Sequence, residues 1–371
     1  MSHSSTTAAS IAFSSKLRLD IIDVAREATL ACNGQFEDFE DLLYCSLHTT
    51  AGFLQQSLAA KLGHQRDSVE SFVRSAQRLF PKGAPYWHDR MELRTELSEE
   101  QRKHEPLNAD AHLAFISLGL ANCVTYRSKP TTPVYLIDLD GIHEGVTRKR
   151  TSLVIGYNRA ECVHKKTIEF LAPNNHVAAV NLGTTCIGLA EQVPALIAKH
   201  AIQRGLVTLE LDDDEQHAGL TVNEFETLLV EKDITGVLLD PLKYMVRKAP
   251  QLVRDPFSLP GKARRFLTYE LKQVVREVLS TASRNVSALE RMVERLDWHL
   301  PILEHIIDRL AAPSEARWMN LGRSINLLVN ANDGEKSGSV VLGTYQSPIL
   351  IQWRRPNPRV RRLIFRLIRF S

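Results

Sequence analysis

Tyr44-Cys45-Ser46-Leu47-His48-Thr49-Thr50-Ala51-Gly52-Phe53 carries an apolar run into a histidine, two hydroxyls and a glycine. The residues before His48 suit a buried strand, and the Gln/Leu/Ala-rich stretch after Phe53 predicts a helix. His48 is thereby placed at a strand end, beside hydroxyls and free backbone N–H groups. Such a junction suits an anion or a metal-bound water. A histidine alone at a strand end reads as a hydrogen-bonded core residue, so the residues further along decide its meaning.

The frame around this stretch is that of an ordinary folded chain. Its 371 residues, 44% of them apolar, predict two domains or one domain with large insertions. Five scattered cysteines without a C-x-x-C pair read as thiols in a reducing compartment. Residues 1–15 are Ser/Thr/Ala-rich, lack Lys and Arg, and read as a disordered tail of a cytoplasmic protein. The net charge is +3, but seven arginines lie from Arg354 onward with no acid among them. The preceding chain is acidic, which argues against a nucleic-acid partner.

In chain order, 16–24 predicts a strand and Asn33-Gly34 a helix stop. Residues 68–80 predict a helix, and 92–106 a charged excursion. Residues 113–119 then read as a small-residue helix with His112 near its start, followed by strands over 122–126 and 133–139.

His48-Thr49-Thr50-Ala51-Gly52, Tyr86-Trp87-His88, Asn108-Ala109-Asp110-Ala111-His112 and Ser117-Leu118-Gly119 resemble, in order, the motifs of the YjbQ family, described as secondary thiamin-phosphate synthases. The resemblance covers 16–145 and implies a small α+β unit with a barrel-like antiparallel core, commonly a trimer. Two family features depart. The N-E pair falls on Gln56-Ser57, and the G-T-W-Q hairpin falls on Lys129-Pro130-Thr131-Thr132. A hairpin of that kind stands instead at Ser339–Trp353, with Gly343-Thr344-Tyr345-Gln346 at its turn.

That displacement prompts a search for an internal repeat. Residues 166–190 echo the His48 segment with Gly183 in the histidine's place, and 316–329 lie over 111–124 with Arg317 opposite His112. We therefore expect an α+β fold of two YjbQ-like barrel or sandwich units of antiparallel strands with flanking helices, at 16–155 and 156–371. The second carries a helical insert at about 191–315 and the hairpin at 339–353. The first copy keeps the histidines and the second keeps the hairpin.

The expected chemistry follows from those side chains. His48, His88 and His112 could hold Zn²⁺ with water in the fourth position, Asn108 and Asp110 orienting them. Without metal, the three rings would grip phosphate or act as acid and base. The resemblance implies C–N bond formation with loss of an anionic leaving group, a thiamin-type or ring-closing reaction. His48, Thr49 and Thr50 would face the anion, and Tyr345 and Gln346 the opposite wall. The competing class is a binding or assembly protein with a vestigial site.

Other segments carry weaker readings. Asp212–Glu215 suits Mg²⁺ less well than a plain acidic loop, and no nucleotide-cofactor motif is present. Thr221-x-x-Glu224 reads as a capping box that opens a helix. Arg317 and Arg323 either grip an anion or lie on a solvated face. The basic Arg359–Arg369 segment fits a final strand better than a membrane-surface helix. The expected partners are thus a small anionic substrate and further subunits, like or unlike, without membrane attachment.

Overall fold

The computed structural model describes residues 6–128, 132–184, 189–239, 243–244, 321–332 and 334–371. The chain divides into two compact units. The first comprises Met1–Val69, Gly119–Glu226 and Leu321–Ser371, and the second Glu70–Leu118 and Thr227–Asn320.

The first unit holds all the described strands. Its earlier group comprises β1 (Thr6–Ser14), β2 (Asp20–Asp23), β3 (Asp41–Ser46), β4 (Ala51–Phe53), β5 (Cys123–Arg127), β6 (Tyr135–Asp138), a small ribbon of β7 (Ile142–His143) and β8 (Val146–Thr147), and β9 (Lys149–Tyr157). The later group comprises β10 (Ala160–Leu171), β11 (Ala178–Asn181), β12 (Arg204–Leu211), β13 (Ala218–Glu224), β14 (Ser324–Asn330), β15 (Ser339–Val341), β16 (Gln346–Gln352) and β17 (Val360–Phe370). Helices α1 (Val24–Cys32) and α2 (Gln56–Lys61) belong to the earlier group and α6 (Leu189–Lys199) to the later.

Pairing within the two groups follows one order. The earlier group forms sheets β1-β9-β3-β5 and β2-β6-β4; the later forms β10-β17-β12-β14-β15 and β11-β16-β13. The hydrogen bonds between sheets match as well. Phe53 N–H donates to Ala121 O at 2.7 Å and Leu220 N–H to Gly322 O at 2.8 Å, each in a bridge returned by the partner's N–H. Ser46 N–H donates to Asn122 O, and Leu211 N–H to Arg323 O, both at 2.8 Å.

Each group buries its own core. Tyr44, Phe53, Tyr126 and Leu136 lie in the first, and Leu209, Leu220, Leu350 and Phe365 in the second. A third cluster of Leu43, Cys45, Ile155, Leu206, Leu328 and Phe370 packs the four-stranded sheet onto the five-stranded one. There the Tyr157 and Phe370 rings stack with centroids 3.8 Å apart. Among the described residues every sheet is open, so the antiparallel α+β expectation holds as a packed sandwich and the closed barrel does not.

Several local expectations change. Thr6–Ser14, read as a tail, is a strand because Ile11 is buried and the run pairs with β9 from Thr6–Tyr157 to Ser14–Lys149. Helix α1 starts at Val24, where the Asp23 carboxylate accepts from Arg26 N–H, and stops at Asn33, whose φ of 46° is left-handed. After His48 the chain forms β4 before α2 begins. Thr221–Glu224 lies in β13, paired with β16, because burial of every residue along the strand overrides the local capping pattern.

The expected insert from residue 191 holds β12 and β13, and its helical pattern over 264–310 lies outside the described residues. Residues 166–171 belong to β10, the counterpart of β1 in pairing order, so Gly183 does not stand in the place of His48. β15 and β16 pair with β14 and with β11 and β13, so Gly343–Gln346 crosses between sheets instead of turning a hairpin. The C-terminal segment is a strand, as expected. Leu363, Phe365 and Leu367 enter the core, while Arg366 on the other face pairs with Glu210.

The second unit is helical among its described residues. It holds most of α3 (Arg66–Leu79), α4 (Glu99–His104), α5 (Ala109–Leu118), a π-turn at Leu229–Ile234 and α7 (Thr235–Leu239). Helix α4 opens on a full capping box of Ser98 and Gln101. No described helix is long and apolar enough to cross a membrane.

Both groups of the first unit seat a buried arginine where their last long strand begins. Arg150 donates to both oxygens of Asp138, at 2.7 and 2.6 Å, and to Asp140 O at 2.8 Å. Arg361 donates to Glu215 at 2.6 Å and to Gln216 O at 2.7 Å. Removing one partner of such a pair strands a charge away from water. Asp138→Ala should therefore lower unfolding stability by roughly 3–5 kcal/mol, while the double change Arg150→Met with Asp138→Leu should cost clearly less. Denaturant titration of the three proteins checks the ordering.

Candidate functional site

In the first unit, the loop after β3 has almost all of its backbone carbonyls engaged. Ser46 Oγ donates to Ala51 O at 2.6 Å and accepts from His48 N–H at 3.3 Å, closing the loop on itself. The Gln346 carboxamide donates to Ser46 O and to His48 O, both at 3.1 Å. Its own oxygen accepts from Gly343 N–H at 3.0 Å. Asn223, near the end of β13, donates to Thr49 O at 3.0 Å, and Leu139 N–H to Thr50 O at 3.0 Å. A Cβ at Gly343 would collide with Leu47 O, which explains the glycine.

The His48 ring is held with equal definition. Thr151 N–H, one residue past Arg150, donates to Nε2 at 2.9 Å. Burial, then the Arg150 and Arg148 charges, lower the His48 pKa to about 4 against the opposing pull of Asp138. The imidazole is therefore neutral near pH 7, with its proton on Nδ1 and the Nε2 lone pair already used. This ring can donate a hydrogen bond. In this tautomer Nε2 is not open to a metal or to a proton from a substrate.

The other expected residues of this unit divide. Gln346 is buried and meets the His48 loop, as the sequence reading required, while Tyr345 on the same turn is 57% exposed. Thr49 is half-buried. Thr50 is buried, with its hydroxyl 3.4 Å from Arg150, where it braces the loop. Arg323 donates to Asp212 O and Glu215 O at 2.6 and 2.9 Å and is a structural tie. Arg317 lies outside the described residues.

The second unit gathers the remaining histidines. His88 and His112 are buried, with ring centroids 5.2 Å apart and nearly perpendicular. Asp233 accepts from Trp87 N–H at 3.0 Å and His88 N–H at 2.9 Å, and also from the Tyr244 hydroxyl. Arg94, buried too, brings a guanidinium nitrogen 3.2 Å from Nδ1 and 3.4 Å from Nε2 of His88. Asn108 O accepts from the N–H groups of Ala111 and His112 at the head of α5, and Asp110 is buried in its first turn.

Asp89 accepts from Ala109 N–H at 3.0 Å. Burial, aided by Asp110 and Asp233 and opposed by Ala109 N–H and His88, raises its pKa to about 6. A carboxyl that changes charge near neutrality within the field of the His88 imidazole suits proton transfer. Asn108, Asp110, His88 and His112 thus share one unit, and His48, Thr49, Tyr345 and Gln346 share the other.

Sequence reading missed Arg150, Asp138, Asn223, Asp233 and Arg94. Two signals stood in the letters: Asp138-Leu139-Asp140-Gly141 at the place of the resembled family's E-F-D-G, and a segment read above as a helix start. His217-Ala218-Gly219-Leu220-Thr221-Val222-Asn223-Glu224 repeats the letters of H-A-G followed by N-E, and Glu224 stands directly across from Gln346 in the β13–β16 pairing.

No family model and no curated protein matches the chain. The solved structures that resemble it include ones described as YjbQ-like. A YbjQ-like protein of unknown function from Sulfolobus solfataricus shares 16% identity over 57% of this chain and 99% of its own, with a TM-score of 0.29. An uncharacterised conserved protein of the YjbQ family from Clostridium acetobutylicum shares 12% over 55% and 99%, at 0.22. A conserved hypothetical protein from Thermus thermophilus shares 19% over 55% and 99%, at 0.23.

The His48 environment predicts an unusual titration. The ring should stay neutral well below pH 6 and protonate near pH 4, read from its proton resonances in a pH series. Because the folded pKa lies below the unfolded value of about 6.5, its contribution to stability is complete above pH 6.5. It is lost as pH falls through 4.

Proposed function

We propose that the chain is an enzyme that forms a C–N bond by displacing an anionic leaving group. Thiamin-phosphate synthesis and a biosynthetic ring closure are the two forms of that chemistry. The observation that carries the reading is the His48 loop. Four of its carbonyls are occupied, its histidine is neutral, and Nδ1–H has no partner among the described residues. A fixed, uncharged donor of this kind stabilises charge as it develops on a departing pyrophosphate or phosphate, without a cost of reorientation.

In the reaction, a nitrogen lone pair attacks a methylene carbon and the carbon–oxygen bond to the leaving group breaks. The electron pair passes to the anion. Thr49 and the His48 Nδ1–H hold that anion, and Gln346 and Asn223 position the loop.

The reading includes a tandem duplication. It rests on the shared pairing order of the two strand groups, the matched bridges of Phe53 with Ala121 and Leu220 with Gly322, and the paired roles of Arg150 and Arg361. Under it, Asn223-Glu224 is the second copy's N-E pair. The site of the first copy is completed by Asn223 and Gln346 of the second.

Inorganic pyrophosphate is the direct probe. Wild-type protein should bind it in calorimetry, and His48→Ala should weaken binding at least tenfold. Gln346→Ala and Gly343→Ala, which act on the loop alone, should each weaken it several-fold while the chain still unfolds cooperatively. Equal binding by all four proteins, or by none, would favour the assembly-protein class with a vestigial site.

Zinc is a second reading, for the second unit alone, favoured by the buried His88 and His112 rings; the metal would supply Lewis acidity there. Arg94 beside His88 opposes it, since a guanidinium is a poor neighbour for a cation. Metal analysis should find zinc at one per chain, lost in His112→Ala, if this reading is right. Zinc absent from freshly purified protein would leave the pair to proton transfer.

A further inference from the structure

Between α1 and the face of β3 and β5 lies a cavity of about 350 Å³. That size falls within the usual range of small-molecule sites. Ala28, Cys32, Phe36, Tyr44, Tyr126 and Val134 line it. The space exists because α1 presents alanines toward the sheet where larger residues would fill it.

Two tyrosine hydroxyls belong to this wall, beside those of Thr29, Ser128 and Thr132, and they differ. Tyr126 donates to Leu54 O at 3.0 Å and is satisfied. Tyr44 is 2% exposed, its ring wedged against Phe53 and edge-on to Tyr126, and its hydroxyl has no hydrogen-bond partner among the described residues. Tyr44 therefore offers a donor with no described protein partner, on a wall whose other polar groups are Thr29, Gln35, Ser128 and Thr132. Glu37 and Arg127, both exposed, flank the cavity with opposite charges that cancel.

We propose that this cavity binds a flat, uncharged, largely apolar molecule that accepts one hydrogen bond at its buried end. The aromatic walls take the flat face, the Tyr44 O–H meets the acceptor, and the balanced rim gives no advantage to an ion. The site is separate from the His48 loop, and its proof does not depend on the function proposed above.

Quinoline and naphthalene, matched in shape and differing by one ring-nitrogen acceptor, are the probes. Cys32 on the wall and the exposed Cys162 away from it give an internal comparison. Quinoline should protect Cys32 of the full chain from iodoacetamide while Cys162 reacts unchanged, read by peptide mass mapping. Tyr44→Phe should weaken quinoline binding roughly three- to tenfold and leave naphthalene unaffected. Ala28→Leu, which fills the cavity, should abolish protection by either compound, with cooperative unfolding as the control for folding. Failure of quinoline to protect Cys32 in wild-type protein would overturn the proposal. So would equal binding of the two probes with no effect of Tyr44→Phe.

Discussion

The ion pair between Arg150 and Asp138 is the constraint from which the first site follows. Both side chains are essentially removed from water, and the guanidinium also reaches Asp140 O and the Thr50 hydroxyl. It thereby fixes the end of β6, the start of β9 and the foot of the His48 loop at one point. The next residue, Thr151, turns its N–H to the imidazole. One buried charge pair thus sets both the position of the histidine and the ring nitrogen that bears its proton. The same positive charge helps to keep that ring neutral.

What the sequence disclosed followed from how local each signal was. The strand before His48, the helices over 66–79 and 109–118, and the final basic strand rest on periodicity within ten or so residues, and all were legible. Thr6–Ser14 was misread because its small, polar composition resembles a tail; only its long-range pairing with β9 makes it a strand. Thr221–Glu224 was misread for the opposite reason, since a sound local capping pattern gave way to burial between β16 and the core. The meeting of Gln346 with the His48 loop, some 300 positions apart, was inferred from motif loss in complementary halves. Its form, a carboxamide straddling two carbonyls, had no trace in the letters.

The state of the His48 ring was less legible than its contact with Gln346. His48 reads as a zinc ligand as readily as a donor until its Nε2 contact is known, because a backbone N–H leaves no mark in a sequence. Asp233 and Arg94 likewise carry no motif. The acid at 233 matters only because the chain returns to the His88 loop after more than a hundred residues.

The crossing at Gly343–Gln346 has a consequence for how such a chain can change. Where a loop and its brace come from identical copies of one gene product, a substitution in either appears at every place where the pair meets. Here the loop and its brace are encoded in different halves of one chain, so each can drift only as far as the other permits. The two halves are thus free to specialise but not to separate, and the contact between them is where inherited variation should be most correlated.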